Sequence, residues 1–284
     1  MQSNSGTTCR YVLAITTSGG SMLDTSKGLG YLPRWLAGMS CYIAFGVGGL
    51  ISSFTLLPLL KYWPGDANAR IQRVQKAVHL MFRVFVRMLT WARVIRLDSH
   101  YCQQLQQAKG MVVIANHPTL IDVVVLISLM PNAGCIVKQG LWRNPFMRGV
   151  VSAAGYIPNR GAELLLADCR EVLNRGTNLI IFPEGTRTVK GEVVNDFARG
   201  AANIALRCHA ELLPVVLKVS NAGLTKQDPW YEIPRRTMHI QVQVGEHIKT
   251  VTAVEDSSAK QARRLTHELE IYYRQQLDGN YELT

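Results

Sequence analysis

The sequence predicts an α/β protein: a largely parallel sheet flanked by helices, with an N-terminal membrane-inserted helix and a basic amphipathic helix ahead of it. Three observations lead there. From about residue 98, short β-branched apolar runs alternate with stretches of helical period, the order that strand–helix–strand units of a parallel sheet impose. Residues 35–60 form a run of 26 without a charge, and about 20 apolar residues suffice for a helix to span a bilayer. Residues 69–97, "ARIQRVQKAVHLMFRVFVRMLTWARVIRL", repeat apolar side chains at helical spacing with a basic stripe beside them.

In chain order, residues 1–34 are rich in Ser, Thr and Gly without a period and read as a flexible tail. The uncharged run follows, bracketed by Arg34 and Lys61. A cleaved signal peptide would need a basic extreme N-terminus and a small-residue cleavage site, and neither is present. Gly46, Gly48, Gly49 and Pro58 permit a bend, so both a spanning and a re-entrant segment stay open. Eight Lys or Arg and two Asp lie from Lys61 to His100, against Arg10, Lys27 and Arg34 before the run. The positive-inside bias therefore puts the C-terminal part in the cytoplasm. Within residues 69–97, Arg73, Lys76, Arg83 and Arg87 share a stripe, with Ile71, Val74, Val78, Met81, Phe85, Met88 and Ala92 broadly opposite. Such a helix lies well in an anionic headgroup layer. Residues 35–97 read as a membrane anchor and 98–284 as one α/β domain. Strands are expected at 111–115, 135–138, 179–182, 213–219 and 239–244, and helices at 118–130, 162–174, 200–208 and roughly 258–277.

Composition narrows the partners. An apolar content of 48% rules out a wholly disordered chain, and a net charge of +11 points to an acidic partner. No zinc finger, recognition-helix pattern or aromatic-and-basic stacking motif is present, which argues against nucleic acid and for an anionic membrane surface. The cysteines at 9, 41, 102, 135, 169 and 208 are scattered singly, with no C-x-x-C and no zinc spacing, so reduced thiols and no metal are expected.

Motifs stand where such sheets place their sites, directly after strands. "NHPTLID", residues 116–122, follows the run "MVVIA". In an ideal helix, positions five apart are turned by about 140°, so His117 and Asp122 meet only across a break. Pro118 supplies one, since proline suits the first position of a helix. A helix from Pro118 would bring the Asp122 carboxylate back to the imidazole, a general base held by an orienting acid. "FPEGTRT", residues 182–188, follows "LII". Gly185 lets the backbone approach a ligand, Thr186 and Arg187 donate to phosphate, and Glu184 orients the arginine or the turn. "GYIPNRG" adds Arg160 on a turn as a further anion contact.

These stretches resemble the signatures of the glycerolipid acyltransferase superfamily, N-H-x4-D in "NHPTLID" and E-G-T-R in "FPEGTR". "KQGLWRNPFMRG", beginning at Lys138, is similar to its K-x-x-L-x-x-x-P-x-x-G block, and Arg160 falls at its second-block arginine. "FARGAANIAL" and "LLPVVL" resemble later blocks, in the same order. The likeness covers roughly residues 35–220 and is greatest to bacterial 1-acyl-glycerol-3-phosphate and related lysophospholipid acyltransferases. Gly140 stands where that family often has an acidic residue, and "LTKQDPWYEIPRR", from Leu224, matches none of its blocks. The resemblance implies a membrane-bound enzyme on the cytoplasmic face of the inner membrane. It moves a fatty acyl group from acyl-CoA or acyl-carrier protein to a lysophospholipid, with 1-acyl-glycerol-3-phosphate as the leading acceptor. No cofactor is implied. His117 and Asp122 are the implied catalytic pair; Lys138, Arg160, Thr186 and Arg187 hold the acceptor phosphate, and Glu184 and Gly185 shape that loop. Two other readings stay open: the same chemistry on a lyso-aminolipid or specialised lipid, and a non-catalytic lipid-binding membrane protein.

Overall fold

The computed structural model describes residues 31–99, 102–137, 140, 145–159, 161–229, 231–250 and 258–278. Among these, seven strands form one sheet: β1 Ile95–Ser99, β2 Val112–Ala115, β3 Ala133–Val137, β4 Ile157–Pro158, β5 Asn178–Ile181, β6 Leu212–Ser220 and β7 Met238–Val244. Their order is β1-β7-β6-β2-β5-β3-β4. Every neighbouring pair is parallel except β6 with β7. The predicted fold class holds. β2 lies at the centre with every residue buried, which is why it reads as a continuous apolar run and not as an alternation.

Nine helices are described: α1 Tyr31–Phe54, α2 Leu56–Tyr62, α3 Ala67–Trp91, α4 Cys102–Gln107, α5 Asp122–Leu129, α6 Pro145–Ala153, α7 Ala162–Asn174, α8 Gly200–Cys208 and α9 Ser258–Asp278. Alternate residues of β2 face opposite layers. Val113 and Ala115 pack with α3 and α5, and Val112 and Ile114 with α7, α8 and α9. α7 and α8 match the predicted spans residue for residue.

Three differences bear on the site. The helical period of residues 69–97 overruns the helix: Arg93 adopts φ 56, α3 stops, and Ile95 enters β1, an edge strand that periodicity missed. The apolar run is broken at Thr55, not at its glycines, and Pro58 falls in the first turn of α2, where its missing N–H is tolerated. The helix after "NHP" begins at Asp122, not at Pro118.

α1 does not stand apart from the domain. It runs antiparallel along α3: Tyr42 meets Phe85 edge-on at 5.5 Å, and Phe45 stacks on Phe85 at 4.2 Å and contacts Phe82 at 5.6 Å. Cys41, Phe85, Leu89 and Val113 belong to one core, so α1, α3 and the sheet pack as one body. The outer side of this helical pair stays apolar and exposed, with Leu36, Ile43, Val47 and Phe54 on α1 and Leu80, Val84 and Trp91 on α3. Arg73 leaves the predicted basic stripe. Its guanidinium donates to Pro64 O at 2.7 Å and to Ala69 O at 3.1 Å, closing the start of α3.

Candidate active site

β2 delivers its carboxyl end to the middle of the sheet's edge of loops, and Asn116 extends the ladder with its side chain. Its amide donates to Leu217 O at 2.9 Å and accepts from Leu217 N at 2.7 Å. That fixes the turn on which His117 stands. His117 Nδ1 lies 2.9 Å from Asp122 Oδ2, with the histidine side chain 20% exposed and the aspartate fully buried. The pair meets by a route other than a helix from Pro118. Asp122 sits in the first turn of α5, and its Oδ2 also accepts from Thr119 N at 2.7 Å, while Thr119 Oγ1 bonds Oδ1. The Leu120 N–H is taken by Leu224 O at 3.0 Å, so the first helical bond of α5 is Val125 N to Ile121 O. Thr119-x-x-Asp122 has the spacing of a capping box, with the carboxylate returning to the threonine N–H. That spacing was the signal from which Thr119 could have been found.

Two opposed effects act on Asp122. Burial pushes its carboxyl above the usual carboxylate range, and His117 and Thr119 pull it back. The first turn of a helix also favours the anion. Because Thr119 N–H is an obligate donor to Oδ2, that oxygen is an acceptor, and His117 must offer it a proton from Nδ1. Nε2 is then the basic nitrogen. Phe182 stacks on the imidazole, centroids 4.2 Å apart, and restricts its rotation.

Of the two roles expected of Glu184, it takes the one on the turn and does not hold Arg187. Its carboxylate is buried under the histidine turn, accepting from His117 N at 2.7 Å, Thr188 Oγ1 at 2.9 Å and Asn195 N at 2.9 Å. Thr188 N donates in turn to His117 O at 2.8 Å. The two motif loops are therefore stitched together through the backbone of His117. Burial pushes the Glu184 carboxyl up, against the pull of Asn195, His117 and Thr188. Gly185 adopts φ 65, a conformation that favours glycine, and Thr186 is exposed beside it.

Arg187 is gripped from elsewhere. Its Nη1 donates to Leu224 O at 3.0 Å and Thr225 O at 2.6 Å, leaving the Nε–Nη2 edge, which is the edge that fits two oxygens of an anion. Backbone carbonyls carry no sequence signal, so this grip was invisible beforehand, as were Thr188 and Asn195. Lys138 and Arg160 lie outside the described residues. Among the described residues no group of three or more His, Cys, Asp or Glu is placed to hold a metal ion.

Comparison with known proteins adds the family. The acyltransferase family model matches residues 96–218. A 1-acyl-sn-glycerol-3-phosphate acyltransferase of Helicobacter pylori is 34% identical over 111 residues, 37% of this chain and 47% of that protein. One from Cocos nucifera is 27% identical over 187 residues, 63% of this chain and 56% of that protein. The matched segments thus span about half the length of these relatives. The crystal structure of the 1-acyl-sn-glycerophosphate (LPA) acyltransferase PlsC from Thermotoga maritima superposes with a TM-score of 0.62 at 20% identity, covering 89% of this chain and 98% of that one, which is a likeness of fold. With the His117–Asp122 pair at the carboxyl end of its central strand, residues 96–218 of this chain are a domain of the acyltransferase family.

Proposed function

We propose that this chain is a lysophosphatidic acid acyltransferase of glycerolipid synthesis, working at the cytoplasmic face of the inner membrane with acyl-CoA or acyl-carrier protein as donor. The observation that carries the reading is the oriented imidazole: a buried carboxylate on Nδ1 and a side chain that is itself only partly buried. The names of the matched relatives point to the same acceptor. Nε2 of His117 takes the proton of the acceptor hydroxyl as its oxygen attacks the thioester carbonyl. The tetrahedral intermediate collapses, the C–S bond breaks, and the thiolate leaves with the proton held by His117. Asp122 stabilises the imidazolium in between. The Nε–Nη2 edge of Arg187, together with Thr186, binds the acceptor phosphate; Lys138 and Arg160 are assigned to the same anion. The exposed apolar side of α1 and α3 lies in the leaflet, with Lys76 and Arg87 exposed on α3 for anionic headgroups.

The deciding experiment offers the purified full chain, in phosphatidylcholine–phosphatidylglycerol vesicles, a panel of acceptors with each donor. Lysophosphatidic acid should be acylated, and His117→Ala should lower the rate about 10²–10⁴-fold. Transfer to another lysolipid with none to lysophosphatidic acid would overturn the acceptor. Activity in His117→Ala above about a tenth of the wild-type rate would overturn the base.

A further inference from the structure

Residues 223–229 touch both motif loops, and residues 231–234 touch α1. Leu224 O accepts from Leu120 N of the histidine turn and from Arg187 Nη1, and Thr225 O accepts from the same Nη1. Leu224 is fully buried yet holds φ 56, a left-handed conformation that a leucine side chain disfavours. Backbone strain of this kind persists only where surrounding contacts over-determine it. Those contacts are present. Thr225 N and Oγ1 both donate to Asp228 Oδ2, at 3.0 and 2.7 Å, and Asp228 N returns to Thr225 O at 3.3 Å. At the far end, α1 is bound to the same segment. Tyr31 donates to Ile233 O at 3.2 Å, Trp35 Nε1 to Tyr231 O at 3.1 Å, and Arg34 to Pro234 O. Gly38 lies so close to the fully buried Ile233 that a Cβ there would sit 2.2 Å from its Cδ1. Gly223 is as close to Pro234, which locks the two arms of the segment together.

We propose that residues 223–229 and 231–234 form a strap that positions Arg187 for the acceptor phosphate and makes that position depend on the seating of α1, with Thr225 and Asp228 as positioning residues. The proposal rests on the acceptor reading of Arg187 given above. Arg187 has one guanidinium nitrogen committed to carbonyls of the strap. A shift of the Thr225–Asp228 turn therefore rotates the edge that meets the anion. α1 carries the exposed apolar surface, so a helix seated in lipid holds the strap, and the phosphate site is complete on the membrane that supplies its lipid substrate.

The test uses the full chain in phosphatidylcholine–phosphatidylglycerol vesicles, with lysophosphatidic acid and acyl-CoA. Asp228→Ala and Thr225→Val should each raise KM for the acceptor about 3- to 10-fold, roughly the net worth of one hydrogen bond passed on through the turn to Arg187, with donor KM and kcat unchanged within about twofold. Asp228→Asn keeps an acceptor oxygen for Thr225 and should recover most of the loss. In an Arg187→Ala background, Asp228→Ala should add nothing, because the strap acts through that guanidinium. Gly38→Val, still vesicle-bound by co-sedimentation, should raise the acceptor KM in the same way. Multiplying effects of Asp228→Ala and Arg187→Ala, or a loss confined to kcat, would overturn the positioning role. An unchanged acceptor KM in bound Gly38→Val would overturn the link to α1. If Arg187→Ala moved only the donor KM, while Asp228→Ala still added nothing to it, the acceptor reading would fall and the strap's hold on Arg187 would stand.

Discussion

Asp122→Asn should abolish most of the catalysis while sparing the fold, and the hydrogen-bond pattern says why. Oδ2 receives two donors, His117 Nδ1 at 2.9 Å and Thr119 N at 2.7 Å, while Oδ1 meets only the Thr119 hydroxyl. An asparagine satisfies all of them in one orientation. Its oxygen takes the Oδ2 position, and its amide faces a hydroxyl that can turn to accept. The opposite orientation would set the amide against the Thr119 N–H, so it is disfavoured. The imidazole therefore keeps its tautomer, and the substitution removes a charge and little else. A unit charge at about 4 Å and an effective dielectric near 20 interacts with a developing imidazolium by about 4 kcal/mol. Felt half or fully in the transition state, that is a loss of about 30- to 1000-fold in kcat. Thiol release from acyl-CoA, followed by absorbance, reads the rate, and thermal unfolding checks the fold. A variant within about threefold of wild type would refute the electrostatic role of Asp122. A parallel fall in unfolding temperature would refute the isosteric argument.

Other outcomes follow from the same geometry. Glu184→Gln cannot accept from both His117 N and Asn195 N, so one buried N–H loses its partner and stability should drop by about 1–3 kcal/mol in denaturant titration; unchanged stability would show that the carboxylate is not the tie between the loops. Arg187→Ala should raise acceptor KM and lower kcat/KM by about 1.5–3 kcal/mol, and Arg187→Lys should recover only part, because an ammonium lacks the two-pronged edge. Ile43→Glu with Val47→Glu, on the exposed side of α1, should make the protein extractable from vesicles by high salt, whereas wild type should resist; equal behaviour would remove α1 from the leaflet. Burial raises both Asp122 and Glu184, so as pH falls through the window above the usual carboxylate range the native state takes up protons that the unfolded chain does not. Within that window these two groups favour the fold as pH falls, and activity should decline with acid before stability does; an unfolding temperature that fell in step with activity would contradict this.

The legible part of the sequence was the part governed by local rules. α7 and α8 could be placed to the residue because their apolar period and helix ends are local features. β1 could not. Its five residues follow α3 within a continuous helical period, and what ends that helix is Arg93 at φ 56, a residue with no turn-forming chemistry. β4 is two residues long and lies at the sheet's edge, below what patterning resolves. The break in the apolar run was anticipated in kind and partly in place: it falls at Thr55, three residues before Pro58, while α1 runs unbroken through Gly46, Gly48 and Gly49.

The site shows the same division more sharply. The proposed base and its partner, His117 and Asp122, meet as their spacing led one to expect, because a base and an orienting acid must be those residue types at that distance. What holds them is a different matter. Glu184 was expected to orient either the arginine three residues on or its own turn, and it serves the turn by reaching to the backbone of His117, a residue 67 positions earlier. Arg187 looked free for a ligand, and one of its nitrogens is held by two carbonyls of a segment that resembled nothing. A carboxylate buried at the junction of two loops takes whatever N–H groups the fold delivers, because an unsatisfied charge there would cost more than any surface pair returns. Arg187 likewise donates to the acceptors the fold delivers, here two carbonyls that also receive Leu120 N and Asp228 N. These bonds follow from burial, and burial is a property of the assembled sheet. The proposed chemistry is therefore written in two short motifs, while its geometry is set jointly by Thr119, Phe182 and Glu184 within them and by partners as distant as Leu217, Leu224 and Thr225.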